Sequence, residues 1–107
     1  MSRTPSFYED FRTAHPAVAA AYQELGDACR TAGPLDARSA ELVKLAMSIA
    51  TGAEGGTHSH TRRALAAGVT RSELEQVALL AITTLGFPQA MRGMAWMRDV
   101  LDAPKQD

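Results

Sequence analysis

Apolar residues recur at helical spacing between the glycines and prolines of this 107-residue chain, and this periodicity is its most restrictive feature. Leu42, Leu45 and Ile49, for example, are three and four residues apart, and no segment alternates convincingly between apolar and polar residues as a half-buried strand would. Twenty alanines outnumber the seven valines and isoleucines together, which favours helix over strand. The sequence therefore predicts an all-α fold, a compact bundle of about five to six helices.

Helix start and stop signals place the elements along the chain. Pro16 suits a first helical turn, and Asp36 can cap the next helix. Gly68 is a left-handed helix terminator, and Thr70 and Glu73 form a capping box. Four of the predicted helices span 17–31, 36 to about 50, about 71–85 and about 89–101. The remaining predicted helix begins within 55–58 and ends at 67.

The length predicts one domain over residues 1–107, with 1–34 as an N-terminal helical extension and 35–101 as the core. A chain of this size buries only about two-thirds of its unfolded surface, so contacts with further subunits would stabilise it. Leu79 and Leu80 also widen the apolar stripe of their helix beyond what a monomer needs to bury. We therefore expect a homo-oligomer.

Charge and hydropathy exclude several functional classes. The formal net charge is −1, from 11 basic and 12 acidic residues, and neither sign forms a long run. A dedicated nucleic-acid binder needs a basic stripe, and attraction to a membrane surface needs a comparable patch. No run approaches the roughly 18 apolar residues of a membrane span, and residues 1–11 do not resemble a signal peptide. The expected location is the cytoplasm, without nucleic-acid or membrane partners.

Cys29 is the single cysteine of the chain. An intramolecular disulfide and a CxxC redox pair are therefore both impossible. A lone cysteine between small residues is more often a filler of helix packing than a nucleophile.

Residues suited to chemistry concentrate between positions 41 and 68, where two carboxylates and two histidines flank a glycine-rich join between helices: Glu41, Glu54, Gly55, Gly56, His58 and His60. A histidine can act as acid or base because its ordinary pKa of about 6.5 suits proton transfer near neutrality. If the two helices pack antiparallel, Glu41 reaches His60. Two interpretations follow, a catalytic pair and a buried histidine held by Glu41 for structure; from spacing alone the structural one is the more common.

The glycine-rich join also suggests a place for a ligand. Glycines allow a ligand to approach the backbone closely, and a helix N-terminus favours an anion, so Gly55, Gly56 and His58 are the predicted ligand-binding residues. A metal site formed by Glu54, His58 and His60 is a weaker hypothesis, because side chains two residues apart on a helix diverge. The sequence therefore predicts no metal site.

These residues also form an ordered pattern: Arg38, Glu41, Leu42, Leu45, Ala46, Ala50, Glu54, Gly55, Gly56, His60, Ala64, Gly68, Val69, Thr70, Glu73 and Leu74. In order and spacing the pattern resembles the carboxymuconolactone decarboxylase domain of the alkylhydroperoxidase D-like superfamily. The likeness covers roughly residues 35–101. It implies an all-helical, alkylhydroperoxidase D-like fold that assembles as trimers or hexamers, with active sites near subunit contacts.

Alkylhydroperoxidase D-like members of this superfamily reduce peroxides with a CxxC pair followed by a histidine, helped by an upstream glutamate. Aligned on His60, the cysteine places fall on Ala53 and Gly56, and the glutamate falls on Glu41. The proton relay is thus present and both sulfurs are missing. A thiol peroxidase needs one thiolate to attack the peroxide and a second thiol to resolve the product. The resemblance therefore disfavours a peroxiredoxin-type antioxidant activity.

The decarboxylase branch is similar in lacking the cysteine pair, and there a histidine at the place of His60 is expected to transfer a proton to or from a lactone acid. No cofactor is implied. This chain is shorter than those enzymes and has its own variant of the join at 55–59. The leading hypothesis is a cofactor-independent lyase that binds a small carboxylated or lactone substrate near Gly55 and Gly56, with His60 as acid or base and Glu41 orienting it.

Glu54 has two interpretations, a second catalytic acid and an exposed capping residue. For the whole chain the alternative to a lyase is a non-catalytic helical oligomer of the same fold, in which Glu41 and His60 form a closed pair without an adjoining cavity.

Overall fold

The computed structural model describes residues 6–104, which form helices and no strand. Within that range no helix has the length and apolar character needed to cross a membrane. The prediction of an all-α fold with about five to six helices is confirmed. The helices are α1 (Ser6–Ala14), α2 (Pro16–Thr31), α3 (Ala37–Thr51), α4 (Glu54–Ala66), α5 (Arg71–Leu85) and α6 (Phe87–Leu101).

Two compact units divide the chain between Leu35 and Asp36. The first contains α1 and α2, which pack against each other, and Pro16 lies in the first turn of α2 as predicted. Helix α2 buries none of its residues and exposes Val18 and Tyr22, among others. The prediction that both units belong to one domain over 1–107 stays a prediction.

Side-chain and glycine caps set the helix ends of the second unit. The Asp36 carboxylate accepts a hydrogen bond from the backbone N–H of Ser39 at 2.7 Å, so α3 begins where the sequence predicts. Gly52 (φ 70°) and Gly68 (φ 91°) adopt left-handed backbone conformations just after α3 and α4, which a residue with a Cβ would resist. The Thr70 capping box also forms as predicted.

Two helices of the second unit begin earlier than the sequence predicts. Helix α4 begins at Glu54, one residue before the predicted window, and an acidic side chain in a first turn is favoured by the helix dipole. Helix α6 begins at Phe87 instead of about Gln89, because Pro88 fits a first turn, where its missing N–H is not needed.

The second unit packs α3 against α4 and α5, and α6 against α4 and α5. At the crossing of α3 and α6, a Cβ placed on Gly93 would lie 2.7 Å from Cγ2 of Ile49, so the two helices approach more closely than any larger residue allows. Among the described residues, the central cluster of buried apolar side chains consists of Leu45, Ile49, Ala64, Val69, Leu74, Ala78, Ala81, Ala90 and Met97.

Polar contacts fix the same helices at their ends. The Gln89 side-chain amide of α6 donates to the carbonyl oxygens of Ile49 at 3.1 Å and Ala50 at 2.7 Å, and so caps the C-terminus of α3. An ion pair between Arg38 and Glu73 joins α3 to α5. Together these contacts fix α3, the helix that presents Glu41.

Candidate active site between α3 and α4

Glu41 and His60 meet across the interface of α3 and α4. Nδ1 of His60 lies 2.9 Å from Oε1 of Glu41. The Glu41 side chain is 7% exposed and the His60 side chain 16% exposed. Because a carboxylate only accepts hydrogen bonds, Nδ1–H is the donor when Glu41 is ionised. The structure thus brings together the two residues that the sequence singles out as a pair.

The interface around the pair contains small polar side chains that bond to their own helices. Oγ1 of Thr61 donates to the carbonyl of Thr57 at 2.7 Å, and Oγ of Ser48 donates to the carbonyl of Lys44 at 3.0 Å. Among the described residues, no buried side-chain nitrogen or oxygen atom lacks a hydrogen-bond partner. Burying a carboxylate is costly unless it is paired, so Glu41 needs its hydrogen bonds to remain at this position.

The two glycines predicted to bind a ligand occupy different environments. A Cβ on Gly56 would lie 3.0 Å from Oγ of Ser48, so the lack of a side chain at 56 lets α4 approach α3 closely. Gly55 is exposed, and a Cβ there would meet no atom within 4 Å. Gly56 therefore has a packing role, whereas the backbone at Gly55 faces open space.

His58 and Glu54 lie apart from the Glu41–His60 contact. Nε2 of His58 lies 2.9 Å from Oδ2 of Asp99 on α6. One ligand atom from each of Glu54, His58 and Asp99 lies within 4.8 Å of those of the other two. The structure confirms that His58 and His60 diverge. The metal hypothesis combined Glu54, His58 and His60, whereas in the structure Asp99, and not His60, lies beside Glu54 and His58. Asp99 was not among the residues that the sequence singled out. A carboxylate near a helix C-terminus, such as Asp99 in α6, is disfavoured by the helix dipole, and this unfavourable position was the signal in the sequence that Asp99 could have another role.

A groove of about 670 Å³ lies on the opposite side of α3, between α3 and α5. Apolar side chains form most of its surface, with Glu73 and Gln76 among the polar ones. Neither Glu41 nor His60 lines it. The groove and the histidine–carboxylate pair are therefore separate features of the second unit.

The family model of the carboxymuconolactone decarboxylase family matches residues 16–99, most of the chain. The chain belongs to this family. Among solved structures, the chain is similar to a carboxymuconolactone decarboxylase family protein from Legionella pneumophila, crystallised in its apo form. The TM-score is 0.77, the sequence identity is 23%, and the match covers 91% of this chain and 87% of that one. A comparison with curated proteins finds no match.

This carboxymuconolactone decarboxylase family chain has no sulfur at either place where the resemblance expects the peroxidase cysteines. Ala53 is the N-cap residue of α4, and Gly56 packs against α3. Cys29 is exposed on α2, in the first unit. The pair therefore consists of a histidine and a carboxylate, and neither of the two aligned cysteine places supplies a sulfur.

Proposed function

We propose that the protein is a cofactor-independent lyase that acts on a small carboxylated or lactone substrate, with His60 as its acid or base. The observation that supports this function is the 2.9 Å contact between His60 and Glu41, which fixes the imidazole at a helix interface. Membership of the carboxymuconolactone decarboxylase family supports the same class of reaction.

Decarboxylation breaks a carbon–carbon bond and leaves an electron pair that needs a sink and then a proton. In a lactone acid, the conjugated ring carbonyl can accept the electron pair, and a positioned acid delivers the proton. Because Nδ1 is directed at Glu41, proton exchange with substrate would go through Nε2 of His60. Protonated His60 would then return to neutral as the carbon is protonated.

Glu41 would orient the imidazole and stabilise its protonated form. A carboxylate on Nδ1 selects the tautomer with its proton on that nitrogen, and it favours the cation by charge. The low exposure of the Glu41 side chain strengthens this interaction, because solvent screens it less than it screens a surface pair. Glu54 is exposed and lies beside His58 and Asp99, so we propose no catalytic role for it.

A non-catalytic oligomer is the second candidate, and two observations favour it. The Glu41 and His60 side chains are both largely covered, and the 670 Å³ groove has neither residue in its lining. Under this hypothesis, the pair stabilises the packing of α3 on α4 and binds no substrate.

A homo-oligomer, a trimer or a hexamer, is part of both proposals. Met47 and Leu80 face the α3–α5 groove and are 61% and 62% exposed. Exposed apolar surface of this kind is typical of subunit interfaces.

Light scattering after size exclusion tests the proposed oligomer. Met47→Glu with Leu80→Glu should give a smaller species, whereas Leu65→Glu, at an exposed leucine of α4, should not. A wild-type monomer would contradict it.

The function is tested by incubating the wild type with a panel of small lactone acids while following CO2 release and lactone absorbance. We expect turnover of at least one compound, lost in His60→Gln and retained in His15→Gln, a histidine of the first unit. Saturable binding without turnover, or no binding at all, would favour the non-catalytic oligomer. Turnover that survives His60→Gln would contradict the assignment of His60.

A further inference from the structure

Glu54, His58 and Asp99 bring three metal-ligating side chains together on one side of the second unit. Glu54 and His58 are four residues apart on α4 and therefore share a face, and Asp99 approaches from the last turns of α6. Nε2 of His58 and Oδ2 of Asp99 are 2.9 Å apart. One ligand atom from each of the three residues lies within 4.8 Å of a ligand atom of the other two. One nitrogen and two carboxylate oxygens thus converge from two helices.

We propose that these three residues form a binding site for a divalent first-row transition ion, with Zn²⁺ as the representative ion. The site is distinct from the Glu41–His60 pair and does not depend on the proposed lyase function.

The distances suit a small ion after minor side-chain movement. Ligand atoms about 2.0–2.2 Å from a tetrahedral Zn²⁺ lie roughly 3.4 Å from one another. The His58–Asp99 separation of 2.9 Å must therefore widen by only a few tenths of an ångström. Glu54 must move closer by up to about 1.4 Å, from a separation of at most 4.8 Å. Its side chain is exposed, so rotation about its own bonds achieves this without displacing the core.

The two carboxylates of the cluster itself favour a cation. With His58 in the neutral form that binds a metal, the cluster has a formal charge of −2. The charged residues that flank Asp99 along α6 are directed at α5: Arg98 pairs with Glu75 at 3.5 Å, and Asp102 pairs with Arg71 at 2.7 Å.

The donor set indicates which ions would bind. An imidazole nitrogen suits Zn²⁺, Co²⁺, Ni²⁺ and Cu²⁺, whereas Mg²⁺ and Ca²⁺ prefer oxygen ligands alone. The His58 ring is 23% exposed, so packing restricts its orientation. The exposed Glu54 and Asp99 leave the outer side of the cluster open to solvent, where water can complete a four-coordinate ion.

A simple surface ion pair between His58 and Asp99 is the competing explanation, and it makes a different prediction for Glu54. In that case Glu54 contributes nothing to the contact, because an ion pair needs only its two partners, His58 and Asp99. In a metal site, Glu54→Gln weakens binding although the His58–Asp99 contact is unchanged. The Glu54 variant therefore separates the two explanations.

The experiment is calorimetric titration of the untagged, metal-stripped full chain with Zn²⁺, together with melting curves at fixed protein concentration. We expect one ion per chain, saturation well below about 1 mM, and a rise in Tm because the ion binds the folded state. Mg²⁺ should produce neither effect. His58→Ala, Asp99→Asn and Glu54→Gln should each weaken Zn²⁺ binding by at least about tenfold.

Matched controls are His15→Ala and Glu24→Gln, an exposed histidine and an exposed glutamate of the first unit, which should bind Zn²⁺ as the wild type does. Melting curves without metal establish that each variant folds. Absence of saturable binding by about 1 mM, or unchanged affinity in His58→Ala or Asp99→Asn, would overturn the proposal. Unchanged affinity in Glu54→Gln alone would overturn the three-ligand site.

Discussion

Replacing Gly93 by alanine should destabilise the protein, although alanine is the better helix former. A Cβ at 93 would lie 2.7 Å from Cγ2, 2.9 Å from Cγ1 and 3.1 Å from Cδ1 of Ile49, where ordinary carbon contacts are about 3.5–4.0 Å. Ile49 is 1% exposed and β-branched, so rotation of its side chain does not relieve all three contacts.

The magnitude follows from two opposing effects. Alanine gains about 0.5–1 kcal/mol of helix stability over glycine, and forcing a methyl group into a packed core costs about 1–3 kcal/mol. Gly55→Ala is the matched control, since a Cβ there meets no atom within 4 Å. We expect Gly93→Ala to be at least about 1 kcal/mol less stable than Gly55→Ala, or roughly 4 °C lower in Tm.

Chemical denaturation and melting curves at one protein concentration measure this difference. A double-mutant cycle with Ile49→Ala adds a second test, because removing the isoleucine side chain should abolish the penalty at 93 and give a coupling energy of about 1–2 kcal/mol. Equal stability of the two glycine variants, or purely additive effects in the cycle, would refute the close approach of α6 to α3.

Three further predictions concern the helix caps. Thr70→Ala should cost about 1 kcal/mol of unfolding free energy, measured by denaturation, because it removes the capping box. Gln89→Ala should cost about 1–2 kcal/mol in the same assay through two lost hydrogen bonds to α3, and Gln89→Glu should cost more because a carboxylate would face carbonyl oxygens. The backbone N–H of Thr70 and the Arg38 guanidinium lower the pKa of Glu73 below its ordinary value of 4.5, so its stabilisation is present above pH 4.5 and lost as pH falls through the lower folded value. Glu73→Gln should flatten the loss of Tm below that pH; an unchanged pH profile would contradict this assignment.

Local signals made the helices from α2 to α6 predictable, whereas α1 was predicted only as part of the helical extension over 1–34. Proline, the Asp36 cap, the Thr70 capping box and Gly68 each act within a few residues of a helix end, so their effects can be inferred without the tertiary structure. Helix α6 begins at Phe87 rather than near Gln89, because Pro88 fits a first helical turn.

The Glu41–His60 contact was predictable only as a conditional statement, because it depends on how α3 packs against α4. The contacts of the other candidate residues could not be predicted from the sequence. Asp99 is 41 residues from His58, and only the packing of α6 on α4 brings them together. The close approach of Gly56 to Ser48 of α3 could not be predicted either, because it too depends on how the two helices pack.

The proposal that His60 and Glu41 form a proton-transfer pair calls for one comparison: turnover of a lactone acid by the wild type, His60→Gln and Glu41→Gln, with folding monitored in parallel. We expect kcat to fall by about 10²–10⁴-fold in His60→Gln and also to fall in Glu41→Gln, while both variants remain folded oligomers. Turnover retained in folded His60→Gln would rule out His60 as the acid or base.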